Sequence, residues 1–405
     1  MIHAKLCQPR IFPHNSARAP EQINRAQDIG GDLTLNQDKI YEIGRDGKLG
    51  VNKKTPSLAY SMTQYEYGSM DFWYSIANLA DPASGGLDDS IDLEDIKSTT
   101  FDITAYMTDD DNTFKGTMWF PKLRVNGFTI NIADPDAIIE RNFDLVGEDY
   151  KILNVVPTSV GGYLAYQKAT ASGASTVIVL NPVPVAHAAS SYIFKVLRER
   201  AGVVSELVQT TDWTFAGPAT VTVTGGVNGD VIKVFYEAST AYTITWTNND
   251  VEADFLTADS CEIYMKVGTG TRLYRLQSLG IDISFERTDY KELGNPEIVL
   301  TGAKSQTVKV SLDRYAEDFS LEKILAGDTA YPYIDPRDFS ENIQILVKVF
   351  SDKSHTAFKI GYLMNKLTPT TMNSSQTKED YGKRTTALEC DNLKISDVES
   401  EVALA

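Results

Sequence analysis

Gln27-Asp-Ile-Gly-Gly-Asp-Leu-Thr-Leu35 and Gln277-Ser-Leu-Gly-Ile-Asp-Ile-Ser-Phe285 are the stretches on which the fold turns. Laid over each other they put Gly30 on Gly280 and Asp32 on Asp282, and this 250-position register runs without a gap to Tyr65 over Tyr315. Glu42 meets Glu292, Gly44 meets Gly294, Lys54 meets Lys304 and Ser61 meets Ser311. Apolar character persists at Leu33/Ile283, Leu35/Phe285, Ile43/Leu293, Leu58/Val308 and Met62/Leu312. Apolar residues at alternate positions are the pattern of a half-buried strand. An internal repeat of strands is therefore the organising feature of the chain.

Working outward, each copy continues into a helical signal, Gly68 to Leu79 in the first and Asp318 to Ala326 in the second, the latter ending at Gly327 as a C-cap. A strand, a polar turn and a strand beginning Phe-Lys follow in both. These are Phe101 to Thr108, Asp109 to Asn112 and Phe114-Lys115, against Ile343 to Ser351, Asp352 to Ser354 and Phe358-Lys359. Between the copies, Asn154 to Thr257 is richer in Ala, Ser, Val, Thr and Gly, with strand runs Val177 to Leu180, Tyr192 to Leu197, Thr220 to Thr224 and Val231 to Tyr236. About a hundred residues of short strands is the usual content of a β-sandwich. The expected fold is mainly β (α+β): an arm 1–26, a first repeat 27–153, an inserted, outward-facing β-sandwich 154–257, a second repeat 258–396 and a tail 397–405. Each repeat is a β-sandwich or barrel with a flanking helix.

At 405 residues the chain has room for several cores. Hydrophobic residues at 42% and 20 Tyr with 16 Phe exclude wholesale disorder. A formal charge of −17 disfavours tight nucleic-acid binding, which needs clustered Lys and Arg. No apolar run reaches the ~20 residues of a membrane helix, and the first residues lack the apolar core of a signal peptide. The expectation is a soluble chain made in a cytoplasm. Cys7, Cys261 and Cys390 lack metal or disulfide-framework spacing and are expected to be reduced and buried.

Catalytic patterns are missing from the sequence. His3, His14, His187 and His355 stand at no ligand spacing. There is no Gly-x-Ser-x-Gly elbow, Walker loop or Gly-x-Gly-x-x-Gly, since Gly268-Thr-Gly270 lacks the third glycine. The acidic clusters Asp88-Asp89, Asp92, Glu94-Asp95 and Asp109 to Asp111 invite a metal reading, but the glycine and terminal glutamate of a calcium loop are missing after Asp109, where a solvated hairpin tip is expected instead. Trp213, Tyr236, Tyr242 and Trp246 invite a glycan-binding reading, but alternating aromatics in strands are more often core. Asp230 reads as a turn residue entering a strand. No enzyme, cofactor or metal is expected.

The run Asp28 to Leu35, the charged loop Asp38 to Gly47, the passage Ser57 to Tyr67 and the second-half run Gly280 to Gly294 resemble the tail tube proteins of tailed bacteriophages. The resemblance covers both repeats and not the insert. It implies a structural virion protein that stacks as rings into the conduit for DNA ejection. Members with a duplicated copy form trimers of pseudo-sixfold symmetry, and some carry Ig-like domains outside the tube. The same resemblance implies tape-measure, tail-terminator and baseplate partners, no membrane, and DNA passing through the lumen without specific binding. Baseplate hub and contractile-tail tube components share the fold, and a β-rich surface adhesin is the alternative from another class. On this reading the loops at 36–55 and 286–305 lie between rings or subunits, through Asp38, Lys39, Glu42, Arg45, Lys53 and Lys54 and through Arg287, Asp289, Lys291 and Glu292. An acidic channel wall repels a sliding duplex over about a Debye length, ~8 Å, and Asp32, Asp102, Asp134, Asp136 and Asp282 are the lumen candidates.

Overall fold

The computed structural model describes residues 8–13, 21–35, 37–40, 50–53, 57–79, 90–108, 114–134, 136–147, 150–153, 163–181, 183–184, 193–201, 203–238, 256–273, 275–291, 298–315, 319–327, 333–375 and 382–404. The protein is mainly β. Its first strands are β1 (Gln8–Pro13), β2 (Glu21–Gln22), β3 (Ala26–Thr34), β4 (Gln37–Ile40), β5 (Gly50–Lys53), β6 (Ser57–Tyr65), β7 (Ile91–Asp92), β8 (Phe101–Thr108), β9 (Phe114–Ile132), β10 (Glu140–Gly147) and β11 (Lys151–Leu153). The insert holds β12 (Tyr163–Thr170), β13 (Ser175–Val179), β14 (Ile193–Arg200), β15 (Val203–Glu206), β16 (Trp213–Ala216), β17 (Thr220–Thr224) and β18 (Val231–Ala238). Then follow β19 (Cys261–Val267), β20 (Thr269–Arg272), β21 (Leu276–Lys291), β22 (Ile298–Tyr315), β23 (Ile343–Phe350), β24 (Phe358–Ser375), β25 (Lys383–Cys390) and β26 (Leu393–Ser396). The α-helices are α1 (Asp71–Ala77), α2 (Leu93–Lys97) and α3 (Ser320–Leu325).

The chain forms two compact units. One holds Met1–Ile23, Thr100–Leu123 and Asp149–Asn248, the other Asn24–Thr99, Arg124–Glu148 and Asn249–Ala405. This division differs from the expected boundaries, because β8 and the first half of β9 belong with the insert rather than with the rest of the first repeat. In the first unit β2-β1-β8-β9-β11 form one antiparallel sheet. The insert forms two more, β12-β18-β14-β15 and β13-β17-β16. Inward residues of both insert sheets, among them Ile178, Val196, Trp213, Val221, Val223, Val234 and Tyr236, pack into one core. Arg200 grips Asp230 through both carboxylate oxygens, at 2.9 Å from Nε and 2.6 Å from Nη2, tying β14 to the turn before β18. Those hydrogen bonds pull the Asp230 carboxyl down to a pKa of about 2.

In the second unit, eight antiparallel strands run in the order β3-β6-β10-β9-β21-β22-β25-β24. Their inward faces are apolar, as the alternating burial of β6 illustrates, with Leu58, Tyr60 and Met62 covered and Ser57, Ala59 and Ser61 open. A second sheet, β20-β19-β23-β24-β26-β7, shares the long strand β24. α1 seats Trp73 and Phe72 on Phe128 and Phe143, with ring centroids 4.8–5.6 Å apart. It lies inside the expected Gly68 to Leu79 stretch, and Ser69 Oγ accepts the Asp71 N–H. α3 lies inside Asp318 to Ala326 and is followed by Gly327 at φ +71°, the left-handed position the sequence reserved for glycine. α2 was not expected. It starts from a capping box, in which the side chains of Asp92 and Asp95 serve each other's backbone N–H groups, so part of the acidic cluster is a helix start.

The pairings of two sets of strands coincide position by position. Gly30 faces Ser61 and Gly280 faces Ser311, while Leu33 faces Leu58 and Ile283 faces Val308. The register slips after Ala26 in one pair and after Leu276 in the other. Further slips sit at Asp144/Leu145 in β10–β9 and at Pro369/Thr371 in β25–β24. Phe101/Ile103 and Met107/Thr108 in β8–β9 are matched by Ile343/Ile345 and Val349/Phe350 in β23–β24. Left-handed residues match too: Arg25 (φ 59°) with Arg275 (φ 64°) and Lys122 (φ 53°) with Lys366 (φ 56°). A bulge bends a strand and sharpens its twist, so bulges at matching places give both sets the same local shape.

Candidate functional site: an acidic open sheet face

Among the described residues, the face of the eight-stranded sheet opposite its apolar side is the surface with the most consistent chemistry. Alternation and register together select its members. Asp28 and Asp32 on β3 share the face of Ser61 and Ala59. Glu140 and Asp144 on β10 share it with Asn131 and Gly127. Asp282 on β21 stands between Thr129 and Lys309, while Asp313 faces Ser278 and Thr385. Glu286 and Glu389 complete the acids, against Arg124, Lys309 and Lys383 on the same face. Lys309 has Asp282 on one side and Glu389 on the other, which leaves little positive field there. Between the charges stand Ser57, Ala59, Ser61, Thr129, Asn131, Ser284, Ser311, Thr385 and Ala387, with Tyr65 opposite Glu140 and Tyr315 opposite Lys383 at the strand ends. The sheet builds this smoothness because period-2 strands sort residues by face.

Two lumen candidates, Asp32 and Asp282, lie on this face, are exposed and stand 250 positions apart. Asp134 and Asp136 are exposed beyond the end of β9 rather than within the sheet. Asp102 is a correction. It is wholly buried in the first unit, where Trp119 Nε1 (3.1 Å) and the Lys122 N–H (3.0 Å) donate to it and Lys195 Nζ stands 3.7 Å away. It anchors β8 to β9 and to the insert strand β14, and faces no channel. The sequence reading missed Asp28, Glu140, Asp144, Glu286, Asp313 and Glu389. The signal that finds them is strand register, since each is an outward member of a pair on the open side of its strand, Glu140 between Asn131 and Tyr65 among them.

The expected inter-ring loops are partly hairpin arms. β4 pairs with β5, and β21 with β22 as far as Lys291 opposite Ile298, so the second segment continues its strands instead of interrupting them. Arg287 is not a free loop cation, because its Nε donates to the Val125 carbonyl at 2.9 Å and its guanidinium stacks on Phe285. Glu42, Arg45, Lys54 and Glu292 lie outside the described residues, as do the side chains of Asp38, Lys39, Lys53, Asp289 and Lys291.

Of the aromatics weighed for a ligand platform, Trp213 and Tyr236 are core residues, and Tyr242 and Trp246 lie outside the described residues. His3, His14 and His187 lie outside them as well. His355 bridges the Glu262 carboxylate (3.2 Å) and the Asp259 carbonyl (3.1 Å). Cys261 and Cys390 are free thiols, and burial raises the Cys390 pKa to about 11. Among the described residues no group of His, Cys, Asp or Glu is placed to hold a metal ion, and no helix is long and apolar enough to cross a membrane. No protein-family model matches the chain, and comparison with curated proteins finds no matching sequence.

Proposed function

We propose that this protein is a structural subunit of a phage-type tail tube, built of two copies of one tube unit with an Ig-like insert. In this reading three chains close a pseudo-sixfold ring and stacked rings form the DNA conduit of a virion. The observation that carries it is the open sheet face, assembled from two strand sets of matching order, register and bulges, and lined by carboxylates among small polar residues. Such a wall offers a duplex no cationic stripe, its aromatics among the described residues are confined to Tyr65 and Tyr315 at the ends of β6 and β22, and its charge repels phosphate within a Debye length, ~8 Å at physiological salt. Small side chains leave the bore unobstructed. The burial of Trp213 and Tyr236 removes two of the four aromatics that favoured the adhesin alternative.

Electron microscopy and mass measurement of the purified protein test the reading. Rings or tubes with masses in multiples of three chains are expected, and monodisperse monomers at all concentrations overturn it. Where tubes form, replacing Asp32, Asp144 and Asp282 together by Lys is expected to leave assembly intact and to slow DNA ejection at least tenfold. An unchanged ejection rate removes the acidic-wall mechanism while leaving the tube.

A further inference from the structure

The two outer edges of the eight-stranded sheet, β3 and β24, correspond by position to the two strands that meet in its middle. β21 answers to β3 at 250 positions, through Gly280 and Gly30. β24 answers to β9 through Met372 and Phe128, each paired to the third strand of its set at the matching places Thr386 and Phe143. Inside the chain β9 and β21 form a seam with Asp282 opposite Thr129, Ile283 opposite Phe128 and Ser284 opposite Gly127. Among the described residues β3 pairs only with β6, and residues 368–375 of β24 pair only with β25.

Resting on the tube reading above, we infer that β24 of one copy pairs with β3 of the next in the register of the internal seam. Asp32 then faces Asn373, Leu33 faces Met372 and Thr34 faces Thr371. The partner is a second copy of this chain, and the contact joins unlike edges, so it propagates around a ring instead of closing a twofold dimer. Exposure supports the assignment. Leu35 is 63% exposed, whereas its counterpart Phe285, beside the internal seam, is 3% exposed. An edge strand with an open apolar side chain is a template for another chain. The pairs are also compatible, since an Asn amide donates to an Asp carboxylate and Leu packs on Met.

The seam between copies is built more lightly than the one within. Gly31 and Ser374 replace the buried pair Ile281 and Ile130, and Gln37 replaces Arg287, the residue that clamps the Val125 carbonyl. Thr371 replaces Gly127, where an added Cβ would come within 2.6 Å of the Ile283 carbonyl oxygen, so the second seam opens at that end. Assemblies are therefore expected to come apart into whole chains with their internal seams intact.

Cysteine pairs in the full chain test the register. Asp32→Cys with Asn373→Cys is expected to give disulfide-linked multimers under mild oxidation, at least fivefold more than the offset pair Asp32→Cys with Thr371→Cys. Equal yields, or a predominance of the offset pair, in a protein that still forms rings overturn the register and leave the tube reading standing. Failure of the unmodified protein to assemble defeats both. Leu35→Asp supplies a second readout. With its side chain open in the free chain, the thermal midpoint of the monomer is expected to stay within about 2 °C while ring yield falls at least tenfold. Undiminished ring yield overturns the edge contact.

Discussion

Arg141 and Arg384 occupy matching places in the third strand of each set, Arg141 opposite Gln64 and Arg384 opposite Arg314, yet they are treated differently. Arg141 is completely buried. Its guanidinium lies 3.2 Å from Glu66, donates to Gln64 at 2.8 Å and sits 5.2 Å from the Trp73 ring centroid. Tyr362 donates to the same glutamate, and burial beside that carboxylate holds its hydroxyl pKa well above the usual range. Arg384 keeps a 14% exposed side chain, pairs with Glu322 of α3 and lies under Phe319, itself 60% exposed. The first set is thus sealed by aromatics over a buried ion pair in which Arg141 Nε makes no hydrogen bond among the described residues, while the second is closed by a helix carrying its own acid. A buried charge that loses its partner is costly. The Arg384–Glu322 pair keeps a narrow opening, with side chains 14% and 11% exposed, so the same strand position serves under two lids of unequal tightness.

The largest expected effect breaks that comparison directly. Arg141→Ala strands Glu66 in the core and is expected to cost about 4 kcal/mol in urea unfolding, whereas Arg384→Ala, at a pair only 14% and 11% exposed, is expected to cost about 2 kcal/mol. Equal losses would mean that the two sites are energetically alike despite their burial. Tyr362→Phe removes one donor to Glu66 and keeps the ring, and about 1–2 kcal/mol is expected from the same measurement. A neutral outcome would place that hydrogen bond outside the network's energetics.

The smallest effect concerns the insert. Asp230 is held at about 2 by Arg200, below the ~3.9 of an unfolded aspartate, so its contribution is present above about pH 4 and lost as pH falls toward 2. Arg200→Ala is expected to lower amide-exchange protection at Val221 and Val223 two- to fivefold at pH 7, with the gap closing by pH 2. A gap that does not depend on pH would show the pair acting by packing alone.

The matching registers were legible in the sequence because strand alternation is local, and a one-residue slip exchanges every inward and outward side chain. Gly327 was legible as a helix stop for a similarly local reason, since a left-handed residue there is free of strain only without a Cβ. The capping box at Asp92 was equally local and was masked only by the acidic run in which it lies. Asp102 was not legible. Its sequence neighbours Phe101 and Ile103 alternate like those of any outward acid, and its burial depends on Trp119 and on Lys195, which is far along the chain. The long-range pairings were also beyond local pattern, because hydrogen bonding between β9 and β21 joins strands separated by the whole insert.

The sequence by itself therefore determined the mainly β class, the 250-position register and the overall acidity, all of which follow from side-chain period and composition. Only the tertiary structure decided which strand face stays open, which acids stand on it and which edges are left unpaired. A period of two defines two faces without saying which one is covered, and covering is settled by strands and helices brought in from far along the chain.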